Sequence, residues 1–244
     1  MRILGIECTA TPVSCALIED GKLKAEFFLN LKTTHSQTLL PMVEQVLKLS
    51  GLSVSDIDVI AATAGPGSFT GVRIGISAVK GLCFVESKPC LPVSVLESMA
   101  YNLISQDCIV CACMDARCNQ VYNALFEIKN GEIIRLCDDR ALMIDEVLSD
   151  LVEIHKTNPL KTIFAVGDGA ELFYKTTADK GVPIKLPPEH LKLQRASSVC
   201  FVAEGKALKG ETVDPDELLP VYLRLPQAER ELKKKQELNS KGSI

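Results

Sequence analysis

The sequence predicts an α/β protein built from two related lobes. Three observations support this prediction: a pattern of apolar runs occurs twice, each copy contains a tight-turn dipeptide, and each copy ends in a buried run followed by glycines. The chain has 244 residues, of which 47% are hydrophobic and 24% charged, a composition typical of globular proteins with a sizeable core. We expect an N-terminal lobe over residues 1–105, a C-terminal lobe over 106–225 and a polar tail over 226–244.

Each copy opens with three apolar runs, which are the predicted strands of a meander. The runs are 3–6, 13–18 and 23–29 in the first copy, and 109–114, 121–128 and 133–136 in the second. Asp20-Gly21 and Asn130-Gly131 separate the second run from the third, and both dipeptides are typical of two-residue hairpins. The first strand of each copy ends in an acidic residue, Glu7 or Asp115.

In each copy a helical segment and a buried strand follow the meander. The helices are predicted over 39–49 and 145–155, the strands over 59–63 and 162–166, and the glycine turns are Gly65-Pro66-Gly67 and Gly167-Asp168-Gly169. Pro41 is compatible with the first of these helices only if that helix begins just before it, near Thr38. A last helix, predicted over 198–208, is stopped by Gly210.

Two related α/β halves that face each other are the architecture of actin, the sugar kinases and the Hsp70 ATPase domain, the ASKHA fold. In that architecture paired acidic turns flank a nucleotide cleft. By this analogy of fold, the candidate residues of a vestigial nucleotide cleft are Glu7, Thr9, Gly67, Asp115 and Gly167. Glu7 and Asp115 could hold a magnesium-nucleotide as a pair, or they could be solvated carboxylates in turns, and the sequence leaves both interpretations open.

Charge and hydropathy exclude several classes of protein. The 27 Lys and Arg against 31 Asp and Glu give a net charge of −4, so the chain lacks the overall basic balance typical of proteins that bind nucleic acid alone. No run approaches about 18 apolar residues, and the N-terminus reaches Glu7 too soon for a signal peptide. We expect a cytoplasmic protein without a membrane segment. The run Lys233-Lys234-Lys235 is either part of a solvated tail or a phosphate-binding arm.

The residue types of a catalytic centre are scarce. The chain has three histidines, His35, His155 and His190, and none has another His or a Cys at the spacing of metal ligands. The ten cysteines are expected to be buried, reduced thiols. A zinc site from Cys108, Cys111 and Cys113 is disfavoured, because side chains alternate along the strand that carries them. The sequence therefore predicts no catalytic residue and no metal site.

The segment after the first glycine turn predicts an unusual helix. Thr70 is the predicted N-cap of a helix that runs to about Phe84, and the loop before it lacks the spacing of dinucleotide and Walker motifs. This helix has two non-polar stripes, Gly71, Gly75, Ala78 and Leu82 on one side and Val72, Ile76, Val79 and Cys83 on the other. Such a helix is either wholly buried or packs on both its own lobe and a partner. The helix around Leu39–Leu49 has a similarly broad apolar stripe, so the two helices form either an association face or an interior layer.

The glycine-turn region resembles the signature of a known family. The segment Gly65-Pro66-Gly67-Ser68-Phe69-Thr70-Gly71-Val72-Arg73-Ile74-Gly75 is similar, nearly letter for letter, to that of the TsaB (YeaZ) family. Members of this family belong to the bacterial machinery that places threonylcarbamoyl on adenosine 37 of tRNA. Further matches are Ile3 to Thr11, His35-Ser36-Gln37 with Leu39-Leu40-Pro41, Asp115-Ala116-Arg117 with Val121-Tyr122, and Pro220 to Arg224. The resemblance covers residues 1–225.

The resemblance implies the ASKHA fold and a non-catalytic subunit that binds and activates TsaD. It implies that the two N-terminal-lobe helices bind the matching helices of TsaD, or a second copy of the same chain when TsaD is absent. The partner-binding residues expected from it are Leu39, Leu40, Val43, Val46, Leu47, Gly71, Val72, Gly75, Ile76, Ala78, Val79 and Leu82.

The resemblance also places the chemistry elsewhere in the complex. ATP and metal are expected on the partner subunits TsaE and TsaD, and no cofactor is expected on this chain. The chain is expected to associate with tRNA only through the complex. The His-x-x-x-His pair of TsaD has no counterpart in residues 93–100. The alternatives are a stand-alone ATP-dependent phosphotransferase of the actin-like superfamily and a metallopeptidase.

Overall fold

The computed structural model describes residues 1–224, which form two sheets with the same strand order. The first sheet has the order β3-β2-β1-β4-β5. Its strands are β1 (Arg2–Glu7), β2 (Val13–Glu19), β3 (Lys22–Leu29), β4 (Val59–Gly65) and β5 (Cys90–Ser94). The first three strands are antiparallel neighbours, whereas β4 pairs parallel with β1 and β5 pairs parallel with β4.

The second sheet repeats this arrangement in the order β8-β7-β6-β10-β11. Its strands are β6 (Cys108–Asp115), β7 (Gln120–Lys129), β8 (Glu132–Arg135), β10 (Ile163–Val166) and β11 (Ile184–Lys185). The sequence did not predict β5, β11 or the short strand β9 (Arg140–Met143), which pairs with the first half of β7. The two sheets confirm the predicted duplication.

The two hairpin turns have the backbone that their sequences predict. Asp20 and Gly21 have φ of 50° and 70°, and Asn130 and Gly131 have φ of 53° and 77°. Two successive residues with positive φ make the type I′ turn, whose twist matches that of the strands it joins. The meander of each lobe is therefore fixed by its local sequence.

The helices correct two predicted starts. They are α1 (His35–Leu49), α2 (Phe69–Glu86), α3 (Val95–Tyr101), α4 (Ile144–Thr157), α5 (Ala170–Thr177), α6 (Glu189–Lys192) and α7 (Ala196–Ala207). The helix α1 begins at His35 rather than near Thr38, so Pro41 lies inside it. The N-cap of α2 is Ser68 rather than Thr70, because the Ser68 hydroxyl oxygen accepts a hydrogen bond from the Gly71 amide at 3.3 Å.

The last helix of each half of the chain packs against the sheet of the other lobe, an arrangement called here the exchange of α3 and α7. One face of the first sheet is covered by α1 and α2, and its other face packs on α7, which comes from the second half of the chain. In return, α3 from the first half packs against β6 and β7 of the second sheet. The proposed boundary near residue 105 therefore separates the strands of the two lobes but not their helices.

No helix within residues 1–224 is both long enough and apolar enough to cross a membrane. The tail proposed for 226–244, with its lysine run, lies outside the described residues.

Candidate functional site: the α1–α2 groove and the interlobe cleft

The glycines before and within α2 serve close packing between backbones. A Cβ on Gly67 would lie 2.6 Å from the carbonyl oxygen of Thr9, and the Ser68 amide donates to that same oxygen at 2.7 Å. In a phosphate loop, the amides at the start of the helix bind an anion. Here the carbonyl oxygen of Thr9 accepts the hydrogen bond of the Ser68 amide instead. The loop sets α2 directly on the end of β1.

Most of the predicted partner-binding residues lie inside the N-terminal lobe. Those buried between α1, α2 and the first sheet are Leu39, Val43, Val46, Leu47, Gly71, Val72, Gly75, Ile76 and Val79. Apart from Leu39, which also lines the groove described next, these residues contribute to the lobe's own core, and their role as partner contacts stays a prediction. Both apolar stripes of α2 contribute to this core, including the small-residue stripe at Gly71 and Gly75.

An apolar groove remains open between the two helices. The α1–α2 groove has a volume of about 530 Å³ and is lined by Ser36, Leu39, Leu40, Thr70, Arg73, Ile74, Ser77 and Ala78. Leu40 is 50% exposed at its edge, whereas Ile74 and Ala78 are half-buried in it. Leu82 is half-buried farther along α2. Of the predicted contact residues, Leu40, Ala78 and Leu82 are accessible, and Leu39 forms part of the groove floor.

The exposed surface of α2 continues beyond the groove toward its end. Phe84 is 85% exposed and Val85 is 76% exposed, which is unusual for large apolar residues on the same helix. Gly81 is exposed, and a Cβ on it would meet no atom within 4 Å. The outer side of α2 therefore combines small residues with exposed apolar side chains.

A polar cleft of about 450 Å³ lies between the lobes. It is lined by Thr9, Ala10, Thr11, Gly67, Ser68, Phe69, Met114, Asp115, Ala116, Arg117, Tyr122 and Asp168. Three of the predicted cleft residues, Thr9, Gly67 and Asp115, are among them. Gly167 lines an adjoining pocket of about 330 Å³ instead. Asp115 accepts hydrogen bonds from Arg117, from its amide at 2.7 Å and from its guanidinium at 3.2 Å.

Glu7 lies in the interior and does not line the cleft. Its side chain is fully buried, and Oε1 accepts hydrogen bonds from the amide and the hydroxyl of Thr9, both at 2.6 Å. Burial raises the pKa of the Glu7 carboxyl, since the charged form loses its hydration. Glu7 is therefore neither a solvated turn residue nor one half of an exposed carboxylate pair with Asp115.

Asp168, two residues after the end of β10, is a cleft carboxylate that was not among the predicted cleft residues. It lines both the cleft and the adjoining pocket, and Gln194 Nε2 donates to its Oδ1 at 3.2 Å. The residue is open to the cleft, yet the protein around its carboxyl displaces water and raises its pKa to about 6, with a smaller contribution from Asp115. The sequence signal that could have identified Asp168 is its position between Gly167 and Gly169, directly after a predicted strand. The first glycine turn, 65–67, has the equivalent position in the first copy.

Residues 218–224, here called the C-terminal strap, cross from one lobe to the other beside the cleft. Leu218 is buried in the first lobe, and the Val221 amide donates to Ala64 O at 2.7 Å. The Tyr222 ring stacks on Phe69, which lines the cleft, at 4.5 Å between centroids. Arg224 donates to the carbonyl of Ala116 in the second lobe. The strap therefore joins both lobes at the cleft.

The cysteines are free thiols. Cys118 is exposed and Cys137 half-buried, and the others are buried. Among residues 1–224, no group of three or more His, Cys, Asp and Glu side chains is placed to hold a metal ion.

Known proteins match the chain over most of its length. A protein-family model described as TsaD, tRNA N6-adenosine threonylcarbamoyltransferase, matches residues 29–232. The chain is 32% identical to the tRNA threonylcarbamoyladenosine biosynthesis protein TsaB of Bacillus subtilis (strain 168), over 94% of this chain and 96% of that protein. It is also 32% identical to the protein of the same name from Escherichia coli (strain K12), over 92% of this chain and 95% of the relative.

Solved structures match the fold. YeaZ from Pseudomonas aeruginosa superposes with a TM-score of 0.75 at 28% identity, over 91% of this chain and 99% of that one. A second Pseudomonas aeruginosa structure, described as an uncharacterized protein with similarity to peptidase YEAZ, gives a TM-score of 0.77 at 30% identity with the same coverage. The predicted two-lobed ASKHA fold is confirmed. Sequence and structure agree that the chain belongs to the TsaB (YeaZ) family.

Proposed function

We propose that this chain is a cytoplasmic accessory subunit that binds and activates TsaD for threonylcarbamoyl transfer to adenosine 37 of tRNA. The observation that carries the proposal is the open apolar groove between α1 and α2. The names of the curated relatives place those proteins in threonylcarbamoyladenosine biosynthesis.

The groove has the features that helix packing requires. Leu40 offers an exposed apolar side chain on α1, and Ile74 and Ala78 provide an apolar floor on α2. At Ser77 and Gly81 the outer side of α2 carries small exposed residues, so a partner helix can approach its backbone closely. Phe84 and Val85 extend the surface to the end of the helix. Burial of such apolar surface is the main driving force of association.

The same groove also suits a second copy of this chain when TsaD is absent. In the complex, TsaE and TsaD supply ATP and metal chemistry, and tRNA is bound through the assembly. The chain itself has no catalytic role in this proposal. Neither the stand-alone phosphotransferase nor the metallopeptidase is favoured by the relatives' names.

The proposal is tested by mixing the full chain with purified TsaD and measuring co-elution and affinity. Leu40→Asp places a charge at the groove edge, and we expect the affinity to fall at least about tenfold, equivalent to about 1.4 kcal/mol. Leu160→Asp is the matched control, because Leu160 is 98% exposed in the C-terminal lobe. Substitution of Val72 or Val79 is unsuitable, since both residues are in the lobe's core.

Activity is the second measurement. With TsaD, TsaE, tRNA and the small-molecule substrates present, threonylcarbamoyladenosine is quantified by mass analysis of the nucleosides. We expect Leu40→Asp to reduce its formation and Leu160→Asp to leave it unchanged. Wild-type binding by a folded Leu40→Asp chain would refute the placement of the interface. Turnover of ATP by the isolated chain would refute the accessory role.

A further inference from the structure

The outer side of α2 carries a symmetric arrangement of accessible small and apolar residues. Ala78 and Gly81 lie at its centre, the first half-buried and the second exposed. Ile74 lies four residues before Ala78 and lines the α1–α2 groove, whereas Val85 lies four residues after Gly81 and is 76% exposed. Spacings of three and four residues keep side chains on one face of a helix, so these four residues form a continuous surface.

Opposite charges flank this surface. Arg73 directly precedes Ile74, and Glu86 directly follows Val85. Both charged side chains are exposed, and neither forms an ion pair in the part of the chain that the structure describes. Arg73 Nε donates to the hydroxyl of Tyr222 at 2.7 Å, which leaves the two terminal nitrogens of the guanidinium for a carboxylate. The two charges lie about 10 Å along the helix on either side of the centre.

A second copy in antiparallel orientation matches this surface residue by residue. In a dimer with twofold symmetry the same surface occurs on both subunits, so residues at equal distances on opposite sides of the axis meet. With the axis at the centre of the surface, Ile74 of one copy lies opposite Val85 of the other, and Arg73 lies opposite Glu86. Parallel pairing would instead place like charges together. The charges therefore favour the antiparallel orientation.

Small residues at the centre allow the two helices to approach closely. Gly81 has no side chain, and a Cβ on it would meet none of the described atoms within 4 Å. Ser77 and Ala78 add only small side chains beside it. Lys80 is the charged residue nearest the centre, and its ammonium donates to the carbonyl oxygen of Asp216 at 3.3 Å. Its charge is thus directed toward its own chain rather than toward a second copy.

We propose that the outer side of α2 pairs with the same side of a second copy, antiparallel and held in register by reciprocal Arg73–Glu86 ion pairs. This inference rests on the proposed function, in which the groove accepts a second copy, and it assigns the residues that orient that copy. Val85 of each copy, with Phe84 beside it, lies next to Ile74 and the α1–α2 groove of the other. The contact covers large apolar side chains that a single copy leaves exposed.

The test measures self-association of the full chain without TsaD, by sedimentation velocity over a dilution series. We expect wild type to dimerise, and Arg73→Glu and Glu86→Arg each to weaken the dimer at least about tenfold, because each change places like charges opposite each other twice. The double variant Arg73→Glu/Glu86→Arg restores opposite charges and should associate within about threefold of wild type. Lys129→Glu reverses an exposed charge in the C-terminal lobe and is the matched control.

A second pair of variants tests the close approach at the centre. Gly81→Leu adds a side chain where the folded chain has open space, so the chain should remain folded while its dimer weakens at least about tenfold. Gly205→Leu is the matched control, because Gly205 is also an exposed helical glycine with open space around its Cβ position. It should dimerise like wild type. Thermal unfolding reports whether each variant is folded.

Rescue by the double variant would support the antiparallel register. A wild-type chain that stays monomeric would overturn the proposal, and so would a double variant that associates no more tightly than the single variants. A Gly81→Leu dimer as tight as wild type would exclude the close approach and overturn the proposal as well. Effects of these changes on TsaD binding alone would assign the surface to TsaD instead. Because the assay contains no TsaD, its outcome is separate from that of the test of the proposed function.

Discussion

Gly71, in the first turn of α2, lies directly against the carbonyl group of Cys8, just after β1. A Cβ on Gly71 would be 2.1 Å from that carbonyl oxygen, a separation that real atoms do not reach. The Cys8 thiol also donates a hydrogen bond to Gly71 O at 3.1 Å. The approach of α2 to the first sheet therefore depends on the absence of a side chain at this position.

Replacement of Gly71 should destabilise the fold. Gly71→Ala forces α2 away from Cys8, and we expect the free energy of unfolding to fall by about 3 kcal/mol or more, as for strongly overpacked cores. Gly81→Ala is the control in the same helix, because its Cβ meets open space, and it should gain about 1 kcal/mol from helix propensity. Urea unfolding measures both. A Gly71→Ala chain as stable as wild type would contradict the contact.

Tyr222 should contribute to the attachment of the C-terminal strap. Its hydroxyl oxygen accepts a hydrogen bond from Arg73 Nε at 2.7 Å, and its ring stacks on Phe69. Tyr222→Phe should lose up to about 1 kcal/mol of stability with the hydrogen bond. Tyr222→Ala should lose about 1 kcal/mol more with the stacked ring. Hydrogen exchange of the Val221 amide should become faster from wild type to Tyr222→Phe and again to Tyr222→Ala. Equal exchange rates in these three proteins would show that Tyr222 does not hold the strap in place.

The carboxyl of Asp168 should make stability depend on pH. Its pKa is raised to about 6 from 3.8, so between these values the folded chain binds more protons than the unfolded chain. The free energy of unfolding therefore falls as the pH rises through this window, and this contribution is constant above it. Asp168→Asn should become more stable than wild type over the same window. Carboxyl carbon-13 shifts measure the titration directly, and a midpoint at the ordinary value would contradict the prediction.

Asn102 should couple the two exchanged helices. Its Nδ2 donates to the carbonyls of Leu191 and Leu193 at 3.0 and 2.9 Å, and its Oδ1 accepts from the Ser198 hydroxyl at 2.6 Å. Asn102→Ala leaves these groups unpaired, and we expect a loss of about 2 kcal/mol. The exposed Asn30→Ala is the control and should change little. Thermal unfolding measures the stability of both variants. An equal loss of stability in Asn102→Ala and Asn30→Ala would argue that Asn102 does not couple the helices.

Eight of the eleven strands within residues 1–224 could be predicted because their signals are local. Asp20-Gly21 and Asn130-Gly131 specify hairpins by their own backbone preferences, and apolar runs of strand length precede the glycine turns. The repeat of this pattern then predicts equal strand order in both lobes. The cleft residues were predicted by the analogy of fold instead, and Thr9, Gly67 and Asp115 line the cleft.

The remaining features depend on contacts between distant parts of the chain. The close contact of Gly71 with Cys8 decides which residues of α2 face the first sheet. Periodicity alone did not show that both apolar stripes of α2 contribute to the core. Glu7 was placed in a cleft, although the Thr9 hydrogen bonds hold it inside the lobe. The exchange of α3 and α7 has no local signature, so a boundary drawn along the sequence missed it.

That exchange means that the two halves, although duplicated in sequence, are inseparable as folding units. A fragment ending near residue 105 would lack α7 and would present Ile3, Ala16 and Leu91 of its sheet to water. A fragment beginning there would in turn lack α3 and present Val110 and Phe126. Neither half is an independent module, so expression of one alone should give insoluble material, and only co-production of both pieces would restore a native molecule.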